Sequence, residues 1–123
     1  MEFALVLPFL LVMLVGIIEF GRAWNEHLVI TDAAREAARK GAIYDESVTA
    51  AQIEQVAKDA LSAAGINPDD ATIALDNWDG DANTKITVSI DLPYQFTFFG
   101  PLVKWSTGES NITLKTAFSM RNE

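Results

Sequence analysis

The sequence predicts an α+β protein: a long N-terminal helix, a second short helix and a small antiparallel sheet of about three strands. Three observations support this fold class. An apolar N-terminal run continues into a helical pattern, a second helical pattern follows it, and the remaining residues alternate between apolar and polar with turn signals between them. We divide the 123 residues into an N-terminal transmembrane or assembly helix over residues 1–44 and a globular head over residues 45–123.

The N-terminal run is built for a membrane. No residue from Phe3 to Ile18 is charged. As a helix this run measures about 24 Å, against about 30 Å for a hydrocarbon core, so it spans a bilayer if its flanks snorkel or the bilayer thins. A cleaved signal peptide fits poorly, because no basic region precedes the run and Val15–Glu19 is not a small-x-small cleavage site. A buried core helix also fits poorly, because a short chain cannot cover a helix that is apolar on every side.

Helical periodicity continues beyond this run. Small residues recur on one face and let another element approach closely, and Gly41 is the expected end of the helix. The prediction is one helix of about 38 residues and about 57 Å. Pro8 and Gly16 bound a stretch of this helix that can bend or locally melt. The alternative is that they reflect the ordinary composition of membrane helices, in which proline and glycine are common. The small-residue track consists of Ala33, Ala34, Ala37, Ala38 and Ala42.

A second helix is predicted from about Val48 to Ala64. Thr49 and Gln52 match a capping box, although Ser47 is an alternative cap. Gly65 followed by Ile66 suits a C-terminal cap with a hydrophobic contact, and the proline at position 68 prevents the helix from resuming.

The rest of the chain is predicted to form strands over residues 71–78, 85–98 and 111–120. The turn between the first two is residues 79–83. An aromatic loop, residues 96–105, with a Gly-Pro pair at its centre, is expected before the third strand. Ile86, Val88, Ile90 and Leu92 are expected to alternate inward in the second strand, and the apolar positions of the third strand are Ile112, Leu114, Ala117 or Phe118, and Met120.

Composition limits the classes of function. The net charge is −8, and nine of the 17 acidic residues fall in residues 45–84, which repels phosphate backbones and argues against a nucleic-acid partner. The chain has no cysteine, which excludes disulfides, thiolate metal sites and cysteine nucleophiles.

The residues offer little chemistry. His27 is the single histidine and is expected to have a surface or packing role. Asp79, Asp81 and Asn83 resemble the first half of a calcium loop, but the Gly and Glu that the full pattern needs are absent, so a polar turn is expected. Asn111 begins a glycosylation triplet by pattern only. Twelve aromatic residues raise the idea of electron transfer along a filament, but there is no Cys-x-x-Cys-His haem motif, and aromatic residues in the core and in subunit contacts explain the number better. We therefore expect no enzyme, no catalytic residue, no cofactor and no metal.

The N-terminal residues resemble those of a known family. Glu2 to Pro8, with the sequence EFALVLP, and Gly16 to Arg22, with the sequence GIIEFGR, look like the opening of TadE-like pseudopilins. Thr31 to Arg39, with the sequence TDAAREAAR, matches that family's signature at the end of the long helix. The strand, aromatic-proline loop and final strand are similar as well, so the resemblance covers nearly the whole chain.

This resemblance implies a pilin-like fold and a role in Tad-type pili, which serve surface adhesion. Such proteins are trimmed by a prepilin peptidase, held in the inner membrane and extracted by an assembly platform. In pilins a glutamate, usually the fifth residue of the mature chain, pairs with the terminal amine of a neighbouring subunit. Glu2 is the matching residue here, at position two.

The expected function is a structural subunit, either a minor initiating pseudopilin or the repeated subunit of a homopolymeric filament. It moves from the bacterial inner membrane to a surface filament, and its partners are the bilayer and copies of itself or other pilins. The alternative is a permanently membrane-anchored periplasmic binding or scaffold module. The expected assembly residues are Glu2, Phe3, Leu5, Leu7, Pro8, Leu10, Leu14, Gly16, Ile17, Glu19 and Phe20.

Overall fold

A computed structural model describes residues 1–43, 47–78, 84–109 and 111–121. The elements follow one another as a long helix, a second helix, a short 3₁₀ turn at Pro68–Asp70, two strands, a third helix and a last strand. The helices are α1 (Glu2–Gly41), α2 (Ala50–Ala63) and α3 (Gly100–Thr107), and the strands are β1 (Thr72–Asp76), β2 (Lys85–Gln95) and β3 (Asn111–Arg121). The predicted α+β class is confirmed.

The described residues form two compact units. The first unit contains Met1–Glu26 and Tyr94–Ile112, and the second contains His27–Pro93 and Thr113–Glu123. The long helix α1 contributes residues to both. The predicted division of the chain at residue 44 remains a prediction about its domains.

The second unit contains the main hydrophobic core. The alanine track of α1 is buried, as its small side chains predict, and from α2 the residues Ile53, Ala57 and Leu61 are fully buried. Gly41 is the last residue of α1, but it does not adopt the left-handed conformation of a glycine cap. A Cβ built at position 41 would overlap Cδ1 of Ile86 and lie 3.0 Å from Cδ1 of Ile53. The glycine is therefore needed for close packing.

Both ends of α2 have the predicted caps. The side chain of Thr49 accepts the N–H of Gln52 at 3.3 Å, and the side chain of Gln52 accepts the N–H of Thr49 at 3.2 Å. At the other end, Gly65 has φ 83°, and Ile66 donates its N–H to the carbonyl of Leu61 at 3.0 Å. This is the Schellman arrangement, in which glycine takes the left-handed position without steric cost.

The sheet is three-stranded and antiparallel, with the order β1-β2-β3. In β2 the predicted alternation is confirmed, because Ile86, Val88, Ile90 and Leu92 are all buried. The pairing of β1 with β2 runs from Thr72 opposite Asp91 to Asp76 opposite Thr87.

The apolar residues of the last strand are buried to different extents. Leu114, Phe118 and Met120 are half-buried against the core, which decides between Ala117 and Phe118 in favour of the phenylalanine. Ile112, by contrast, is 42% exposed. The inward alternation of β3 starts only at Leu114, since Ile112 precedes the part of the strand that belongs to the second unit.

The prediction of an aromatic loop over residues 96–105 is wrong in its second half, because Gly100–Thr107 is the helix α3. Pro101 lies in the first turn, where a missing N–H costs nothing and the fixed φ of proline suits the helix. The Gly-Pro pair therefore begins a helix instead of breaking one. Gly108, with φ 82°, ends it and donates its N–H to the carbonyl of Lys104 at 2.8 Å.

Candidate functional site

The candidate site is the apolar part of α1 together with the acids that border it. Glu2 and Glu19 are 17 positions apart in one continuous helix, which places them about 26 Å from each other along its axis. The helix continues through Pro8 and Gly16 without interruption. One described helix, α1, is long and apolar enough to cross a membrane, and only 6% of its most apolar 18-residue window is buried.

Most of the expected assembly residues point away from the rest of the chain. The exposed fraction of the large apolar ones runs from 43% at Leu7 to 82% at Leu5. A continuous apolar surface of this kind is the mark of a lipid or protein contact, because soluble monomers rarely leave one uncovered. The exposed members of the set are Glu2, Phe3, Leu5, Leu7, Pro8, Leu10, Leu14, Ile17 and Phe20, and Gly16 is half-buried.

Glu19 differs from the others, because the chain itself buries it. Its side chain is 2% exposed. Its carboxylate accepts hydrogen bonds from the backbone N–H groups of Thr97, Phe98 and Phe99. Phe98 donates at 3.1 Å and Phe99 at 3.2 Å, both to Oε2. A buried carboxylate is tolerated when several donors replace its lost water, which is the arrangement here.

The same carboxylate lies at the start of α3. Phe99 is the N-cap residue of α3 and provides no side-chain cap of its own. Glu19 supplies an anion at this end, where the aligned peptide dipoles of a helix favour negative charge. One residue of α1 thereby fixes both the backbone before α3 and the start of α3 itself.

Two further side chains complete this cluster. Arg22, nearly one turn after Glu19, donates from its guanidinium to the hydroxyl of Thr97 at 3.2 Å. The hydroxyl of Tyr94 donates to the backbone carbonyl of Glu19 at 3.4 Å. Burial raises the pKa of the Tyr94 phenol, the charge of Arg22 opposes that effect, and the charges of Glu19 and Glu26 reinforce it. The Tyr94 hydroxyl therefore stays a neutral donor well above neutral pH.

The aromatic side chains of the 96–99 segment lie along α1. Phe98 and Phe99 line an open apolar cleft with Leu11, Val12 and Val15. The ring of Phe99 also lies 3.8 Å from the position that a Cβ would take at Gly16. The segment thus contacts the part of α1 that belongs to the uncharged run.

The cluster around Glu19 is the feature that sequence reasoning missed. The sequence places Glu19 at the end of the apolar run, and we expect it there as an assembly residue. Its donors lie 78 to 80 positions further along the chain. Two features of the sequence could have indicated this cluster: an acid at the border of an apolar helix, and a distant aromatic segment with a Gly-Pro pair. No short-range pattern shows that these two features contact each other.

Three further candidates from the sequence are His27, the turn at residues 79–83 and Asn111. His27 is half-buried, and its backbone carbonyl accepts the hydroxyl of Thr31 at 2.8 Å. The turn at residues 79–83 lies outside the described residues. Asn111 is half-buried at the start of β3. Over residues 1–43, 47–78, 84–109 and 111–121, no group of three or more His, Asp or Glu side chains is placed to hold a metal ion.

Comparison with known proteins finds a similarity in the N-terminal helix. Residues 1–39 match the family model described as TadE-like protein. Comparison with curated proteins and with solved structures gave no match. The TadE-like family is a structural, pilus-related family, and the matched residues include the exposed apolar run. The match confirms the resemblance of this chain to TadE-like pseudopilins, carried by its first 39 residues, and with the apolar helix it indicates a membrane-anchored protein related to the Tad pilus.

Proposed function

We propose that the protein is a structural, pilin-like subunit that is held in the bacterial inner membrane and assembles through α1 into a Tad or type IV-like surface filament that supports adhesion. The observation that carries this proposal is the exposure of α1. Every residue from Met1 to Leu14 is exposed, and although Phe98 and Phe99 lie beside Leu11 and Val12, the described chain leaves most of this apolar surface uncovered. It needs lipid before assembly and other subunits after it.

The charges of α1 agree with a helix that serves two environments. In lipid a helix satisfies its own backbone hydrogen bonds, so the run is stable there. In a filament the same side chains bury against neighbouring helices. Glu2, at the exposed tip, is then available to pair with the terminal amine of a neighbour, and removing one partner of such a buried pair costs about 3–5 kcal/mol.

The two acids of the site therefore have separate roles in this proposal. The carboxylate of Glu19 is already used inside the chain, whereas Glu2 is exposed. Glu2 is accordingly the acid that we assign to contact between subunits, and Glu19 is the acid that shapes the subunit.

The test compares Glu2→Gln with Glu36→Gln, an exposed acid at the other end of α1. Filaments are sheared from cells, and the subunit is measured in the sheared fraction and in the membrane fraction. We expect the wild type and Glu36→Gln in both fractions and Glu2→Gln in the membrane fraction alone.

Two results would contradict the proposal at different points. Normal recovery of Glu2→Gln in sheared filaments would remove the pairing role of Glu2. A wild-type protein that always remains with the membrane would overturn filament assembly and support the permanently anchored periplasmic module.

A further inference from the structure

The segment from Phe98 to Trp105 carries three large apolar side chains that the described chain leaves mostly exposed. Phe98 is 63% exposed, Leu102 57% and Trp105 85%. Leu102 and Trp105 lie three positions apart on one side of α3, and Phe98 lies just before the N-cap residue of that helix. Three large apolar side chains presented together to solvent are unusual in a unit of this size and indicate a surface that meets another apolar phase.

The position of this segment along α1 indicates that the apolar phase beside it is the lipid bilayer. Phe98 and Phe99 line their cleft with Leu11, Val12 and Val15, all inside the uncharged run. Val15 precedes Ile18, the end of that run, by about 5 Å, and Leu11 precedes it by about 10 Å. When the run lies in hydrocarbon, the two phenylalanines lie at the same depth, below the border of the bilayer.

The backbone N–H groups of the segment are mostly satisfied within the protein. Peptide groups that enter lipid must be satisfied inside the protein. The N–H groups of Thr97, Phe98 and Phe99 donate to Glu19, and Pro101 has no N–H. Val103 donates to the carbonyl of Phe99 at 2.8 Å. Most backbone N–H groups around the start of α3 therefore already have a hydrogen-bond acceptor inside the protein and do not need water.

Basic side chains lie near the end of the uncharged run and in α3. Arg22 follows Glu19 by three positions and reaches Thr97, and Lys104 lies in α3 between Leu102 and Trp105. Long basic side chains can extend to phosphates while their stems stay in an apolar layer, and tryptophan favours the same interfacial region.

We propose that the Phe98–Trp105 segment is a lipid-binding element that inserts Phe98, Leu102 and Trp105 into the interface of the bilayer that α1 crosses. The protein is then held by a helix and by a second, shallow contact near the end of the uncharged run of that helix. The proposal depends on the membrane anchor and not on filament assembly.

The test uses the full chain in vesicles of phosphatidylcholine and phosphatidylglycerol. The double variant Trp24→Phe/Trp78→Phe keeps Trp105 as its only tryptophan. Vesicle flotation first reports that α1 is inserted. We expect lipids brominated near the headgroup to quench most of the Trp105 emission, and lipids brominated at the chain end to quench less.

The matched control is Trp24→Phe/Trp105→Phe, which keeps Trp78 in the second unit, half-buried against the core. Its emission should be unaffected by brominated lipid. Floating vesicles in which Trp105 is unquenched by bromine but quenched by aqueous iodide would overturn the proposal and leave the transmembrane helix intact. If Trp105 becomes shielded only in assembled filaments, the surface is a contact between subunits, and the proposal is again overturned.

A second measurement keeps all three tryptophans. Because the chain has no cysteine, Leu102→Cys and Ser62→Cys each give one site for a nitroxide spin label. Ser62 is an exposed residue of α2. We expect the label at position 102 to relax faster with oxygen, which concentrates in lipid, and the label at position 62 to relax faster with a water-soluble nickel complex. Equal nickel access at both positions would contradict the proposal.

Discussion

The backbone N–H of Phe99 donates to Oε2 of Glu19 at 3.2 Å, which joins the residue that caps α3 to the acid that ends the apolar run of α1. Thr97 and Phe98 donate to the same carboxylate. The acid is therefore an internal structural group, although its position in the sequence suggests an assembly residue.

We expect Glu19→Ala to loosen the Thr97–Thr107 region without unfolding the second unit. A hydrogen bond to a charged group contributes about 1.5–3 kcal/mol, so the loss of even one makes local opening at least about tenfold more frequent. The measurement is the rate of tryptic cleavage after Lys104 in the detergent-solubilised chain. The cleavage rate of Glu19→Gln should lie between those of the wild type and Glu19→Ala, because the amide oxygen can still accept some of the hydrogen bonds.

The control for this experiment is Glu36→Ala, which removes an exposed acid from the same helix. Its cleavage rate should equal that of the wild type. An unchanged rate in Glu19→Ala would show that the carboxylate does not hold the segment.

Two glycines of α1 should respond to the same substitution in opposite directions. Gly41→Ala introduces a Cβ that overlaps Ile86, a side chain that is fully buried, and overpacking of this kind costs about 1–3 kcal/mol. Gly21→Ala meets no atom within 4 Å and should stabilise the helix by up to about 1 kcal/mol. Chemical denaturation of the full chain followed by circular dichroism measures both.

The cause of the Gly41 effect is testable by a double-mutant cycle. Ile86→Val removes the Cδ1 atom that the new methyl group meets, and alone it costs about 0.5–1.5 kcal/mol. In the Gly41→Ala background the same change should cost less or be stabilising. Strictly additive effects would rule out the steric explanation.

Thr49→Ala should destabilise α2 by about 0.5–2 kcal/mol, because it removes the side chain that accepts the N–H of Gln52. Hydrogen exchange at the Gln52 amide gives the local readout. Ser62→Ala, an exposed change inside the same helix, serves as the control and should leave that amide protected. Equal exchange in both variants would contradict the capping role.

The Tyr94 phenol should titrate above the ordinary tyrosine pKa of about 10, because burial disfavours its anion. The variant Tyr44→Phe leaves Tyr94 as the only tyrosine, so tyrosinate absorbance against pH reports its pKa directly. A pKa at or below the ordinary value would show that the phenol is solvated in the folded protein.

The same pKa shift predicts how the stability of the folded protein changes with pH. A group whose folded pKa is raised contributes stability that is complete below the unfolded pKa and is lost as pH rises through the folded one. The contribution of Tyr94 is therefore constant up to about pH 10 and declines above it. In Tyr94→Phe, the free energy of unfolding measured against pH should lack this decline above pH ~10 and otherwise follow the wild-type curve.

Much of the fold could be predicted because its signals are local. The uncharged run, the Thr49–Gln52 capping box, the Gly65–Ile66 end of α2 and the alternation of β2 each depend on residues within a few positions of one another. The role of Gly41 could not be predicted in this way. A glycine at a helix end fits a cap by sequence, whereas here it is required by side chains from α2 and β2.

The sequence by itself determined that this protein has an apolar helix with an acid at each border, a helical head segment and a three-stranded sheet. Hydrophobic periodicity and capping are short-range properties that depend on neighbouring residues, and the resemblance to TadE-like proteins is carried by residues 1–39. Only the tertiary structure decided that the two acids differ. It brings three backbone N–H groups from residues 97–99 to Glu19 and leaves Glu2 exposed, because a buried carboxylate requires donors that a helix does not supply to its own side chains.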